Sequence, residues 1–302
     1  MLATTVDTYL ALRRASGFSL KSQGSLLRTF ATFSDATGEH YVCAQTAIEW
    51  AGSVSSVVQR ARRLDEVIRF ARYMHAEDLR HEVPPAVFGC ETRRRPVPFI
   101  FSKDDIRRIV QTASQLGPPS LRRYTYSTLF ALLSCTGLRI SEAVRLRFDD
   151  VTADGLVIRC SKFRKSRLVP LHETTRAAVE VYLERRRPYA PFDDHVFVSL
   201  RSRPLLIQDA QCAFHAVVEK IGFPRGPGLP RPTLHSLRHT FAVRALETCP
   251  DGGDHITKHM LALSTYLGHS KIECTYWYLE ATPHLMRNIA DVCENFIKGG
   301  RP

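Results

Sequence analysis

The chain has 302 residues, with 42 Lys and Arg against 30 Asp and Glu, a formal net charge of +12 and 44% hydrophobic residues. This length favours two domains, and the apolar content is ordinary for a globular protein. There is no unbroken apolar run of the roughly 18 residues that a membrane span needs and no secretory leader pattern at the N-terminus. A cytoplasmic protein with no membrane partner is therefore expected. The positive excess points to a polyanionic partner, although a merely soluble basic protein would look the same. Eight cysteines are scattered without a C-x-x-C pair, so they are expected to be reduced residues in the core. His255 and His259 lie four apart, but a third ligand at metal-site spacing is missing, and they read as surface histidines.

Residues 1 to 90 read as an all-helical domain. Val6, Tyr9 and Leu10 start one helix, which closes near Gly17. Leu26, Leu27, Phe30 and Phe33 mark a second, ending toward Gly38, and Ile48 with Trp50 a short third. In the fourth, Val57, Ala61, Leu64, Ile68 and Ala71 recur at intervals of four and three. Arg60, Arg62, Arg63, Arg69 and Arg72 cover much of its other surface, either as a solvated face or as phosphate contacts. Pro84-Pro85 and Arg93-Arg94-Arg95-Pro96 interrupt the helical pattern, which places a linker at 91 to 99. Its Arg94 and Arg95 either touch a DNA backbone or keep the linker solvated.

The second domain, 100 to 302, opens at Ser102 with an N-cap and Asp104-Asp105 in the first turn. An apolar helix over 121 to 135 carries Leu129, Leu132 and Leu133 inward and stops at Thr136-Gly137. Arg139 follows, and Glu142 lies three residues on, able to share a helix face with it. Glu142 either orients a basic group and caps backbone or forms a plain surface ion pair. Segments 156 to 160 and 167 to 171 read as a β-hairpin around Lys162, Phe163, Arg164, Lys165 and Ser166. A helix follows over 173 to 187, then a strand at 195 to 198 that is expected to join the hairpin. Another helix spans Gln208 to Gly222, and a Gly- and Pro-rich loop over 226 to 232 sets up His235. The doublets Asp149-Asp150 and Asp193-Asp194 read as turns. Thr282 and Pro283 start a final helix with Leu285, Ile289, Val292 and Phe296 on one face.

Three motifs stand in order: Thr136-Gly137-Leu138-Arg139-Ile140-Ser141-Glu142, then His235-Ser236-Leu237-Arg238-His239-Thr240-Phe241, then Leu267-Gly268-His269-Ser270, followed by Tyr276-Trp277-Tyr278. Together with the hairpin lysine this set resembles the tyrosine recombinases, the phage integrase family. The resemblance spans about 100 to 280 by motif and the first 90 residues by layout. The ending Tyr276-Trp277-Tyr278-Leu279-Glu280-Ala281-Thr282-Pro283 is also similar to transposon-borne integrases that occur in trios. The resemblance implies a mainly α fold with a small β-sheet, an N-terminal helical core-binding domain that clamps one side of the DNA, and a catalytic domain. It implies a tetramer on two sites, or assembly with related recombinases. The chain departs from the family pattern around 249 to 254, where Pro, Gly and Asp mark an inserted loop.

The chemistry of these residue types fits. A phosphodiester transition state carries extra spread charge, which fixed cations or a metal can stabilise. No carboxylate constellation marks a metal site, so the expectation is no metal and no cofactor. Arg139 and Arg238 offer planar forks matched to phosphate oxygens. His235 is the candidate base, with a pKa expected near the working pH, and His269 would bind a phosphate oxygen. By resemblance, His239 supports this set and Lys162 is the acid for the leaving 5′-oxygen, with Arg164 and Lys165 as DNA contacts beside it. Tyr276 and Tyr278 cannot both face one phosphate, being about 200° apart on a helix. The family's spacing selects Tyr278 as nucleophile, leaving Tyr276 and Trp277 to packing. The expected protein is a site-specific recombinase of double-stranded DNA, working at the nucleoid without ATP. A type IB topoisomerase or a non-catalytic DNA-binding regulator would be the alternatives.

Overall fold

The computed structural model describes residues 1–89, 97–159, 166–224, 226, 229–248, 253–269 and 273–280, without the side chains of 253–256, 279 and 280. The chain divides into two compact units, Met1–Arg95 and Pro96–Pro302. Among the described residues no helix is long and apolar enough to cross a membrane.

The first unit is built from α1 (Leu2–Ala15), α2 (Lys21–Ala36), α3 (Ala44–Gly52) and α4 (Val57–Glu77). The carboxylate of Asp35 on α2 accepts from the backbone N–H groups of Leu2 and Ala3, at 2.8 and 3.3 Å, and so satisfies the free donors that start α1. The core joins Val6 and Leu10, Leu27 and Phe30, Trp50, and Leu64, Val67, Phe70 and Met74. The fourth helix is thus buried along Leu64, Val67, Ala71 and Met74, while Val57 at its start is exposed. Phe33, expected inward, is also exposed, because the buried stripe of α2 runs through Leu27, Phe30, Ala31 and Ser34. Arg60 and Arg63 are half-buried rather than solvated. Arg60 Nε donates to the Val54 carbonyl at 2.6 Å, and the Arg63 guanidinium lies 3.9 Å from the Trp50 ring centroid.

The second unit contains α5 (Lys103–Ala113), α6 (Leu121–Thr136), α7 (Ile140–Ala143), α8 (Glu173–Arg186), α9 (Ile207–Ile221), α10 (Leu234–Glu247), α11 (Gly253–Leu267) and α12 (Glu273–Glu280). Ser102 and Asp105 form the capping box that starts α5. Helix α6 is central, packing against α5, α8 and α10 with Leu129, Phe130, Leu132 and Leu133 in the core. Strands β1 (Val151–Thr152), β2 (Gly155–Ile158) and β3 (Arg167–Val169) form one antiparallel sheet in that order, with Leu156 opposite Val169 and Ile158 opposite Arg167. The fold is therefore mainly helical with a small sheet.

Several expectations need correction. Residues 195 to 198 do not join the sheet, but make isolated bridges to Arg147 and Pro204. Their backbone is engaged elsewhere: Val196 N–H donates to the Leu146 carbonyl, and Leu205 N–H to that of Phe197. Arg186, at the end of α8, is fully buried. Its guanidinium donates to the carbonyls of Ala190, Asp193 and His195 and folds the following turn around itself. Cys43, Cys135, Cys212 and Cys274 are free thiols, but none is buried, since each lies toward the open side of its helix or helix cap. His259 is half-buried and its Nε2 lies 2.6 Å from the Ala245 carbonyl, linking α11 to α10.

Candidate active site

Helix α11 ends in a Schellman motif. Gly268 takes φ +65°, its N–H donates to Thr265, and the N–H of His269 donates to Ser264. The carbonyls of Tyr266, Leu267 and Gly268 are then left without partners in the helix. Such groups form the negative end of the helix dipole. Each accepts from a different arginine: Arg167 Nε reaches Tyr266 at 2.7 Å, Arg238 Nη2 reaches Leu267 at 2.7 Å, and Arg139 Nη2 reaches Gly268 at 2.9 Å. A Cβ on residue 268 would stand 2.9 Å from Arg167 Nη1 and 3.5 Å from Arg139 Nη1. Glycine is needed there both for its backbone and for the space.

The end of α6 contributes a second such acceptor. Gly137 caps it at φ +60°, and its carbonyl accepts from Arg238 Nη1 at 2.7 Å. A Cβ at this glycine would come within 2.4 Å of the Phe241 ring. Arg238 is 2% exposed. Burial, then the neighbouring Arg139, lowers its pKa to about 10, which leaves it charged at neutral pH. Glu142 is buried and accepts from the Arg139 backbone N–H at 3.0 Å and Arg139 Nη1 at 2.8 Å. It also takes both terminal nitrogens of Arg167, at 3.1 and 2.8 Å. Burial pushes its carboxyl up, but hydrogen bonds from Arg167 and Arg139 outweigh this and hold it at about 2. A surface ion pair is thereby excluded: Glu142 both caps α7 and joins two guanidiniums.

The Thr233–Ser236 capping box starts α10, so His235, Arg238 and His239 fall at i, i+3 and i+4 on one face. The rings of His235 and His239 meet edge to face at 4.4 Å. His239 Nδ1 lies 3.2 Å from the Tyr278 hydroxyl, and His269 Nδ1 lies 2.7 Å from the buried Thr275 hydroxyl. The Tyr278 ring runs nearly parallel to that of His269, at 6.2 Å. Tyr278 is 2% exposed, packed with Val243, Leu246, Met260 and Leu263. Tyr276 is 47% exposed, so it faces solvent rather than packing, while Trp277 lies against the core of α10, α11 and α12.

The electrostatics correct the expectation for the base. Desolvation, then the charges of Arg238 and Arg139, lowers His235 to about 4. Its residue is exposed, so this desolvation comes from the walls around the ring rather than from enclosure. His239 and His269 are lowered to about 3, again by desolvation first; His235 and then Arg238 add to it at His239, and Arg238 and then Arg139 at His269. None sits near the working pH, and His239, not His235, lies within hydrogen-bond distance of the phenol. Burial raises the Tyr278 pKa, although Arg238 and Arg139 pull it the other way. Lys162, Arg164, Lys165, Arg94, Arg95, the loop at 249–252 and the tail after Glu280 lie outside the described residues.

Arg167 was not singled out from sequence as a site residue, since it looked like one more charge at the end of a basic run. Its only local signal was its position at the start of an apolar strand. Among the described residues Asp193, Asp194 and His195 also bring ligand-type atoms within 4.8 Å of one another. Asp193 and Asp194 face Arg186 and Arg147 as well, which accounts for them as a clamp on the turn.

A pair of arginines, one buried and one half-buried, a linking carboxylate, three histidines and a tyrosine on a helical scaffold define the class of tyrosine-type recombinases. The model of the phage integrase family matches residues 100–284. The integrase/recombinase-type protein y4rB of Sinorhizobium fredii is 36% identical over 293 residues, covering 93% of each chain. The tyrosine recombinase XerD of Listeria innocua is 27% identical over 236 residues, 76% of this chain and 73% of that protein. The fold is shared with the Tn1549 transposon integrase in complex with transposon right end DNA (TM-score 0.65, 17% identity, 96% of this chain and 99% of that one). It is shared too with the XerH recombinase bound to difH substrate (TM-score 0.65, 16% identity, 97% and 84%). The chain belongs to the phage integrase family, that of the tyrosine recombinases.

Proposed function

We propose that this protein breaks and rejoins double-stranded DNA at defined sites, in integration or transposition, with Tyr278 as the nucleophile. The observation that carries this reading is the convergence of Arg139, Arg238, His235, His239 and His269 on the helix end beside Tyr278. A scissile phosphate entering this cradle meets fixed cations, which suit the charge that spreads over non-bridging oxygens. Tyr278 Oη attacks phosphorus, the bond to the 5′-oxygen breaks, and a 3′-phosphotyrosyl link and a 5′-hydroxyl result. Attack by a 5′-hydroxyl from the partner duplex reverses the step. The phosphodiester energy stays in the covalent link, so ATP is not required, and the arginines take the part that a metal ion plays elsewhere.

The phenol proton passes toward His239, its hydrogen-bond partner, or to His235 beside it. An anionic phosphate between the arginines offsets the charges that depress these imidazoles, so their proton affinity rises as substrate binds. Tyr278 is 2% exposed, so its hydroxyl reaches a phosphate only when α12 shifts enough to present it. Lys162 supplies the proton for the leaving oxygen. The domain at 1–90, with Arg60 and Arg63, the linker at 91–99 with Arg94 and Arg95, and the catalytic domain at 100–302, with Arg164 and Lys165, each contact the duplex. Four protomers, or this chain with related recombinases, act on two sites at the nucleoid.

A suicide substrate whose nicked end diffuses away tests the reading. A covalent protein–DNA adduct should form in the presence of a chelator, vanish with Tyr278→Phe and persist with Tyr276→Phe. An adduct that survives Tyr278→Phe would overturn the assignment.

A further inference from the structure

We propose that Arg167 is a positioning residue for Arg139: by sharing the Glu142 carboxylate, it leaves the Arg139–Glu142–Arg167 group with one net positive charge, which adds to that of Arg238 for the scissile phosphate. This inference rests on the proposed recombinase reading. Arg167 opens β3 opposite Ile158, and its side chain is 12% exposed against 23% for that of Arg139. Each nitrogen of its guanidinium already has a protein partner, Tyr266 through Nε and Glu142 through Nη1 and Nη2. It is thus held to protein, not presented to substrate, and acts through another group.

The charge count gives the reason. Two guanidiniums and one carboxylate leave a single positive charge on this group. Without Arg167, Glu142 and Arg139 form a neutral pair, and Arg139 is then the one charged partner of the buried carboxylate among the described residues. Arg139 would then be drawn along α7 toward Glu142 and away from the Gly268 carbonyl. The two arginines also flank the bare Cα of Gly268, where like charges stay together only because Glu142 and the carbonyls of α11 lie between and beneath them. A buried carboxylate that loses one partner is a strong perturbation, whereas loss of both charges is often tolerated.

A double-mutant cycle decides the matter, read as single-turnover cleavage of a suicide substrate at saturating DNA and well below the unfolding midpoint of every variant. Arg167→Ala should slow cleavage about 10- to 100-fold, somewhat below the usual cost of a direct oxyanion donor. In an Arg139→Ala background the same change should add less than about 3-fold, because the residue it acts through is gone. Glu142→Gln added to Arg167→Ala should recover at least about 3-fold, since it removes the charge that Arg167 balanced. Should Arg167→Ala fold poorly, Arg167→Gln keeps a donor for the Tyr266 carbonyl while removing the charge, and the same cycle applies. Full additivity with Arg139→Ala, or no recovery with Glu142→Gln, would overturn the proposal. If the unmutated protein forms no adduct, the recombinase reading fails first. If it forms one and the cycle is additive, only the role of Arg167 fails.

Discussion

Two groups of arginines in this chain show how differently one residue type can be used. On α4, Arg63 lies over Trp50 and Arg60 over the Val54 carbonyl at the rim of a helical bundle, with Arg62, Arg69 and Arg72 exposed. At the end of α11, Arg139, Arg167 and Arg238 are hooked onto successive carbonyls and one carboxylate. The first group lies at the surface, with Arg60 and Arg63 half-buried and the other three exposed, where it attracts a polyanion over distance and is screened by salt. The second holds its charge in a poorly solvated, fixed geometry, where it can discriminate a transition state from a ground state. Affinity is thus expected from the first group and rate from the second.

The largest test of this contrast is Arg238→Ala. Cleavage at saturating DNA should fall by about 10²-fold or more. The unpaired carbonyls of Gly137 and Leu267 should also cost about 1–3 kcal/mol of stability. Chemical denaturation and single-turnover kinetics read the two effects separately. A loss of binding with an unchanged rate would break the comparison.

Glycine substitutions sharpen it next. Gly268→Ala combines a left-handed backbone, worth roughly 1–3 kcal/mol, with a methyl group 2.9 Å from Arg167, so cleavage should fall along with the melting temperature. Gly38→Ala carries a similar backbone conformation with nothing within 4 Å. It should lower the melting temperature alone, and a matching loss of cleavage would show that backbone strain, not the arginine cradle, is being measured.

Acid should act on the catalytic unit through its histidines. His239 and His269 are held at about 3 when folded, against 6.5 when free. Above that free value both states are neutral and these groups contribute nothing. As the pH falls below it, only the unfolded state gains protons, so stability declines toward about 3. Glu142, held at about 2 against a usual 4.5, stabilises the fold above its usual value and loses that contribution lower down. DNA-free unfolding followed between pH 7 and 4, about the span between free and folded histidine values, should take up close to two extra protons at these two rings, with Glu142 adding to the uptake at the acid end. A flat profile would contradict the burial of these rings. His235, being exposed, should add less.

The smallest effect is expected on α4. Arg63→Ala should weaken DNA binding mainly at low salt, lowering the slope of log affinity against log salt by about 0.9 per lost phosphate contact. Cleavage at saturating DNA should not change. A filter-binding salt series alongside the kinetic assay would separate the two, and a large rate loss here would erase the distinction between the groups.

Much of this could be read along the chain, because it depends on local rules. Helical periodicity places His235, Arg238 and His239 on one face. Ser102 and Asp105 mark the start of α5, and the positive-φ glycines 137 and 268 close α6 and α11. Helical geometry separates Tyr276 from Tyr278, and the structure exposes one and buries the other. Where local rules misled, packing had the final say. Phe33, Cys135 and Cys212 turned outward, and segment 195–198 went to Leu146 instead of the hairpin.

The partners within the site were decided by tertiary structure alone. The sequence named Arg139 and Arg238 but neither Arg167 nor what would hold the three, since Arg139 reaches a carbonyl 129 residues away, Arg238 one 101 residues away and Arg167 one 99 residues away. Those acceptors are main-chain groups, the same in every residue, and only the place where a helix stops makes them available. The depression of the histidines and the burial of Tyr278 likewise depend on which walls and charges the fold brings around each ring. A motif can specify which side chains are present at a site. Desolvation and long-range contact set their charge states and their freedom to act, and both arise only when α6, α10, α11 and α12 come together.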